Sequence, residues 1–168
     1  MFGIEGYRPE WLNGLRAIEA AHRDRLGALI GRRLSHAWLV WDAEDDEWFA
    51  DGPVLLDFEG ERAEVAHQKF DELSITWNTM DPGEPIARDE FFDLRWRDDA
   101  HAELAALHGE PLRAVEFLEW SGDDLARGMV AVSFLFTRGQ VTISNGLDEN
   151  QLDFGPPDPC YRCHPLNA

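Results

Sequence analysis

Residues Met129–Phe136, MVAVSFLF, are apolar and β-branched without a break except at Ser133. A short continuous apolar run bounded by turn residues reads as a buried strand. Arg138-Gly139 interrupts it, and Val141, Ile143 and Ser144 resume it. In this second arm Val141 and Ile143 alternate with Gln140, Thr142 and Ser144, so one of its faces is wetter. The two arms form a hairpin that belongs in the middle of a sheet. The hairpin constrains the fold and carries no chemistry.

The rest of the chain supplies partners for that sheet. Pro9–Ile30 reads as a helix, with Pro9 in the first turn and Trp11, Leu15, Ile18, His22, Leu26 and Leu29 on one face. Gly14 and Gly27 weaken it by about 1 kcal/mol each relative to Ala. His22 falls on the apolar stripe and reads as a partly buried spacer. Strands are expected at 35–41, 54–58, 62–67, 73–77 and 112–120, with Glu59-Gly60 closing a tight turn. Residues 81–88 read as loop, and 89–99 resist assignment. Asp99 is placed to cap a short helix over 100–108, which Gly109 ends. Strands joined by short turns, with helices few and set apart, give an α+β class. The expectation is a single mostly antiparallel β-sheet domain over 1–152. The N-terminal helix and a second short helix pack on it, and an irregular Pro-rich tail covers 153–168.

Charge narrows the partners. The chain has 15 basic and 33 acidic residues, a net of -18. Residues 1–33 hold six Arg and four acids, leaving nine basic and 29 acidic residues for the remainder. Such a field repels nucleic acid and anionic membrane and attracts basic proteins. No apolar stretch is long enough to span a bilayer. The first residues carry Glu5 and Arg8 and no apolar core of a secretory signal, so a cytoplasmic location is expected. Two cysteines do not make a disulfide framework.

The cysteines lie in Cys160-Tyr161-Arg162-Cys163-His164, which has the spelling of a c-type haem attachment site. Pro159-Cys160-x-x-Cys163, with His101-Ala102-Glu103 upstream, also resembles the zinc deaminase signature. That resemblance implies His101, Cys160 and Cys163 as zinc ligands and Glu103 as the proton shuttle. It covers seven residues, and Pro165 stands where the family opens a helix. A simpler zinc site takes Cys160 and Cys163 with His164, His67, His101 or His108, structural or hydrolytic.

The densest acidic run is Asp42–Glu47, DAEDDE, set between Trp41 and Trp48. It fails as an EF-hand, because Glu47 and Pro53 stand where Gly and Glu are required. Carboxylates beside aromatics suit a protein-binding surface. Asn145–Asn150 reads as a polar turn whose Asp148 and Glu149 have no nucleophile placed near them. No phosphate-binding glycine pattern and no G-x-S-x-G setting occurs. No catalytic residue is therefore assigned. The leading expectation is a non-enzymatic acidic module that needs no cofactor and binds a basic protein. Its surface would be Asp42, Glu44, Asp45, Asp46 and Glu47, with Trp48 as anchor. A bacterial immunity protein or inhibitor masking a nucleic-acid-acting partner is one such job. The alternative is a zinc protein built on Cys160, Cys163, His164 and His101.

Overall fold

The computed structural model describes residues 1–167 and resolves the apolar runs into two antiparallel sheets. The first contains β1 (His36–Asp42), β2 (Glu47–Trp48), β3 (Val54–Phe58), β4 (Glu61–Gln68), β5 (Glu72–Trp77) and β6 (Leu94–Arg97). Its order is β2-β1-β3-β4-β5, with β6 paired to the second half of β1. The second contains β7 (Leu112–Trp120), β8 (Val130–Phe136), β9 (Gly139–Asn145), β10 (Asn150–Asp153) and β11 (Tyr161–Leu166). Its order is β10-β9-β8-β7-β11. β8 is its central strand, where a continuous apolar run belongs, since both of its faces are covered.

Strand alternation decides which side chains meet. Val54, Leu56, Phe58, Val65 and Ile75 of the first sheet share one buried cluster with Val115, Phe117, Val132, Phe134 and Ile143 of the second. Phe58 stacks on Phe134 and Phe136, with ring centroids 5.9 and 6.3 Å apart. A fully buried side chain of this kind contributes about 1.5–3 kcal/mol. The opposite parity of the first sheet, Val40, Leu55 and Ala66, is covered by Ile4 and Tyr7 of the N-terminal segment and by Met80, Ile86 and Leu94.

The helix α1 (Leu15–Gly27) places Ile18 and Leu26 in the shared core. It begins six residues later than the apolar spacing predicts. Leu12 instead exchanges both backbone bonds with Leu73 at 2.9 Å, extending the sheet past β5. Glu10 N–H donates to Ser74 Oγ at 2.8 Å. Tertiary pairing overrides helix propensity here, and Gly14 at φ 80° makes the turn between the two. His22 is buried as its place on the stripe indicates, and burial lowers its pKa.

The second helix, α2 (Ala102–Ala105), is shorter than expected. Asp99 does not cap it, because its carboxylate meets Arg97 Nε at 3.2 Å. Leu104 and Leu107 still reach the core. Residues 89–99, unassigned in the sequence, yield β6, whose Leu94 and Trp96 help cover the first sheet. The tail is also more ordered than its prolines imply. Residues 154–160 carry the chain from the β10 edge of the second sheet to the opposite edge. There Tyr161–Leu166 pairs with β7 over six residues. Pro165 is tolerated because β11 is an edge strand. Among the described residues no helix is long and apolar enough to cross a membrane.

Candidate functional site

The acidic run forms the turn of the β1–β2 hairpin, in register at Trp41 with Trp48 and Asp42 with Glu47. Residues 43–47 are exposed. Asp42 is not: it is 4 % exposed, and its Oδ1 accepts the Glu44 N–H at 3.0 Å, which shapes the turn. Trp48 also turns inward and packs against the shared core. The aromatic beside the carboxylates is Trp41. Its Nε1–H donates to Asp46 Oδ1 at 3.0 Å, and the Arg97 guanidinium lies 5.3 Å from its ring centroid. Arg97 is nearer to Asp99 (3.2 Å) than to Asp46 (4.0 Å). Among the described residues Glu44, Asp45 and Glu47 have no cationic partner within 4.0 Å. The hairpin therefore presents a largely unneutralised set of carboxylates on a turn shaped by the Glu44–Asp42 and Trp41–Asp46 hydrogen bonds.

The sulfur and imidazole groups are spread apart. Cys160 and Cys163 are free and exposed. Cys160 lies in the turn before β11, and Cys163 and His164 are neighbours on the strand, so their side chains leave opposite faces. His164 is 3.6 Å from Glu119, and His101 stacks on Phe154 with centroids 4.9 Å apart. His67 is buried against Asn150, and His108 lies beside His36. Among the described residues no three His, Cys, Asp or Glu side chains are grouped so as to hold one metal ion. Partial desolvation, then the carboxylates of Asp158 and Asp124, push the Cys160 thiol up. Burial and Glu116 do the same to Cys163. Both effects disfavour the thiolate that metal binding requires.

The expected polar turn is confined to residues 146–149, because Asn145 ends β9 and Asn150 is buried at the start of β10. Asn145 Oδ1 accepts the Asp148 N–H at 2.9 Å, and Asp148 and Glu149 point to solvent.

A concave feature elsewhere was not visible in the sequence. Where residues 154–158 pass over the outer face of the second sheet, they enclose a cleft of about 570 Å³. Its floor includes Thr142 and Ser144, on the face of β9 opposite Val141 and Ile143. Trp120 and Tyr161 form an edge-to-face corner, centroids 5.0 Å apart and planes at 76°. Asp124, Asp153 and Asp158 line the rim. Asp124 fixes the indole, its two oxygens each 3.0 Å from Trp120 Nε1. These residues come from three stretches of the chain, 120–124, 142–144 and 153–161, which no spacing rule connects. The β7–β11 pairing, which brings Tyr161 opposite Trp120, is what assembles the corner.

Comparison with protein-family models, with curated proteins and with solved structures found no match.

Proposed function

We propose that this chain is a non-enzymatic binding module whose acidic surface captures a basic protein. An inhibitor or immunity protein that masks a nucleic-acid-acting partner is the job that suits it best. The observation that carries this reading is the β1–β2 turn, where Glu44, Asp45 and Glu47 are exposed without a cation. A carboxylate cluster on a hydrogen-bonded turn supplies charge complementarity to a basic surface. A nuclease holds its substrate's phosphates with basic groups, so an acidic protein docked on that surface competes with the substrate. The contact surface is Glu44, Asp45, Asp46 and Glu47 with Trp41. Asp42 and Trp48 support the turn from within.

The test is the affinity of a basic ribonuclease, used as probe, at several salt concentrations. A quadruple variant E44Q/D45N/D46N/E47Q is compared with a control, E84Q/E90Q/D148N/E149Q, that removes equal charge elsewhere. The hairpin variant is expected to bind about tenfold or more weakly than the control and to show a shallower salt dependence. Equal losses in the two variants would mean that net charge alone acts and that the hairpin is not the surface.

A further inference from the structure

The cleft on the second sheet combines three features. The first is shape: about 570 Å³ is within the range of ligand sites. The second is the aromatic corner. Trp120 is half-buried, and its N–H edge is held by Asp124, which leaves the ring fixed in place. Gly122 makes this possible, because a Cβ there would lie 2.5 Å from Trp120 Nε1. The third is uncompensated charge. Asp124, Asp153 and Asp158 have no cationic partner within 4.0 Å among the described residues. Arg127, three residues from Asp124, pairs with Asp123 at 3.5 Å instead.

The three carboxylates act on a common space. After burial, Asp153 and Asp158 are what raise the Tyr161 pKa, and Asp158 and Asp124 act together on Cys160. Yet they are too dispersed to hold one metal ion. Charge spread around an aromatic corner suits an extended organic cation. A planar guanidinium fits better than an ammonium, since it stacks on an indole face and donates in several directions at once. Thr142 and Ser144 close the floor: both are buried, and the Thr142 hydroxyl donates to Ser133 Oγ at 3.0 Å, so the polar contacts for a ligand come from the rim carboxylates.

We infer that the Trp120–Tyr161 cleft is a receptor for an arginine side chain of the basic partner. This rests on the basic-partner reading above and adds a second point of contact, on the other sheet from the hairpin. Asp124 and Asp158 neutralise the guanidinium, and Trp120 stacks on it.

The test uses the full chain and two probes, an arginine pentapeptide and N-acetyl-arginine methylamide, with a lysine pentapeptide as control. The readouts are the Trp120 indole N–H resonance and the amides of residues 43–47. The arginine pentapeptide is expected to shift the Trp120 resonance saturably and the lysine pentapeptide to do so more weakly. D124N/D158N is expected to weaken that response about tenfold or more. D158N alone keeps an acceptor for the Cys160 N–H and leaves the Asp124 clamp on Trp120 intact, and it is expected to weaken the response in the same direction. Y161F, which keeps the ring, is expected to bind like the parent, and Y161A is expected to lose binding. Hairpin shifts without a Trp120 shift would overturn the cleft and leave the basic-partner reading standing. No shift at either place would overturn both. If the single-residue probe bound as tightly as the pentapeptide, the occupant would be a free small cation, and assignment to a protein partner would fail.

Discussion

The Nδ1 atom of His67 lies 3.0 Å from the Oδ1 atom of Asn150, and this buried pair ties the two sheets together. His67 sits on β4 of the first sheet and Asn150 begins β10 of the second. Asn150 Nδ2 donates to the Gly52 carbonyl at 2.8 Å, and its backbone N–H donates to the Ala50 carbonyl at 3.0 Å. That commitment turns Oδ1 toward Nδ1, and the Val130 carbonyl lies 3.4 Å from Nε2, so each ring nitrogen faces an acceptor. The 49–52 turn, which follows the acidic hairpin, is thereby fastened to the second sheet.

Burial pushes the His67 pKa down to about 4, against an ordinary value of 6.5. Between these values the unfolded chain binds a proton that the folded chain refuses. Stability from this group is therefore complete above pH 6.5 and falls as the pH drops toward 4. The loss is about 3 kcal/mol by linkage. Histidine NMR titration is expected to find His67 neutral at pH 5, and urea unfolding to show stability falling across that window. A His67 midpoint near 6.5 would contradict the burial described.

Asn150→Ala leaves His67 Nδ1 and the Gly52 carbonyl without partners in a dry interior. The expected cost is about 2–4 kcal/mol, an unmade bond at each of two buried groups. Chemical denaturation measures it. A change under 0.5 kcal/mol would show that the sheets do not depend on this tie.

Glu64 is 1 % exposed and accepts four hydrogen bonds. They come from Thr76 Oγ1 (2.6 Å), Thr79 N (2.7 Å), Thr79 Oγ1 (2.6 Å) and Met80 N (2.8 Å). A carboxylate suits this site because every neighbour donates. Glu64→Gln replaces one acceptor with a donor that faces donors, at an expected cost of about 2 kcal/mol. Hydrogen exchange at Thr79 and Met80 should accelerate more than exchange in β8. Gly6→Ala strikes the same loop from outside, because its Cβ would overlap the Thr79 carbonyl oxygen at φ +78°.

Cys160 and Cys163 are held in separate positions by the β7–β11 ladder and by the Ser121 N–H, which donates to the Cys160 carbonyl at 2.9 Å. Their raised pKa values keep them as thiols at pH 7. Slow alkylation at pH 7, speeding markedly above pH 9, is expected. Added zinc is expected to leave the Tm unchanged within about 1 °C. A zinc-induced rise of several degrees, lost in Cys160→Ser, would instead establish a metal site that forms by rearrangement.

Much of the fold was legible because alternation reports directly on burial. The 54–58 and 112–120 strands, the Glu59-Gly60 turn and the central place of the 130–136 run all follow from local pattern. The short strands Glu47–Trp48 and Asn150–Asp153 were not expected, and three further pairings escaped because long-range contact outweighed local preference. Leu12 joins Leu73 although its segment has helical spacing, Leu94–Arg97 pairs with β1 despite dense charge, and Tyr161–Leu166 becomes a strand despite Pro165. The acidic turn was legible as composition, whereas its inside and outside were not. Nothing in DAEDDE distinguishes buried Asp42 from exposed Asp45, because the distinction comes from the β6 contact and the Glu44 N–H bond. The Trp120–Tyr161 corner could not be read at all, since it exists only once β11 closes on β7.

Chemical-shift mapping of an arginine-rich peptide on the full chain, at low and high salt, tests most directly where a basic partner is received. The expected result is that the largest low-salt shifts fall on the amides of residues 43–47 and fade as salt rises. Shifts spread evenly over all exposed carboxylates, or centred on a face without the β1–β2 turn, would contradict it.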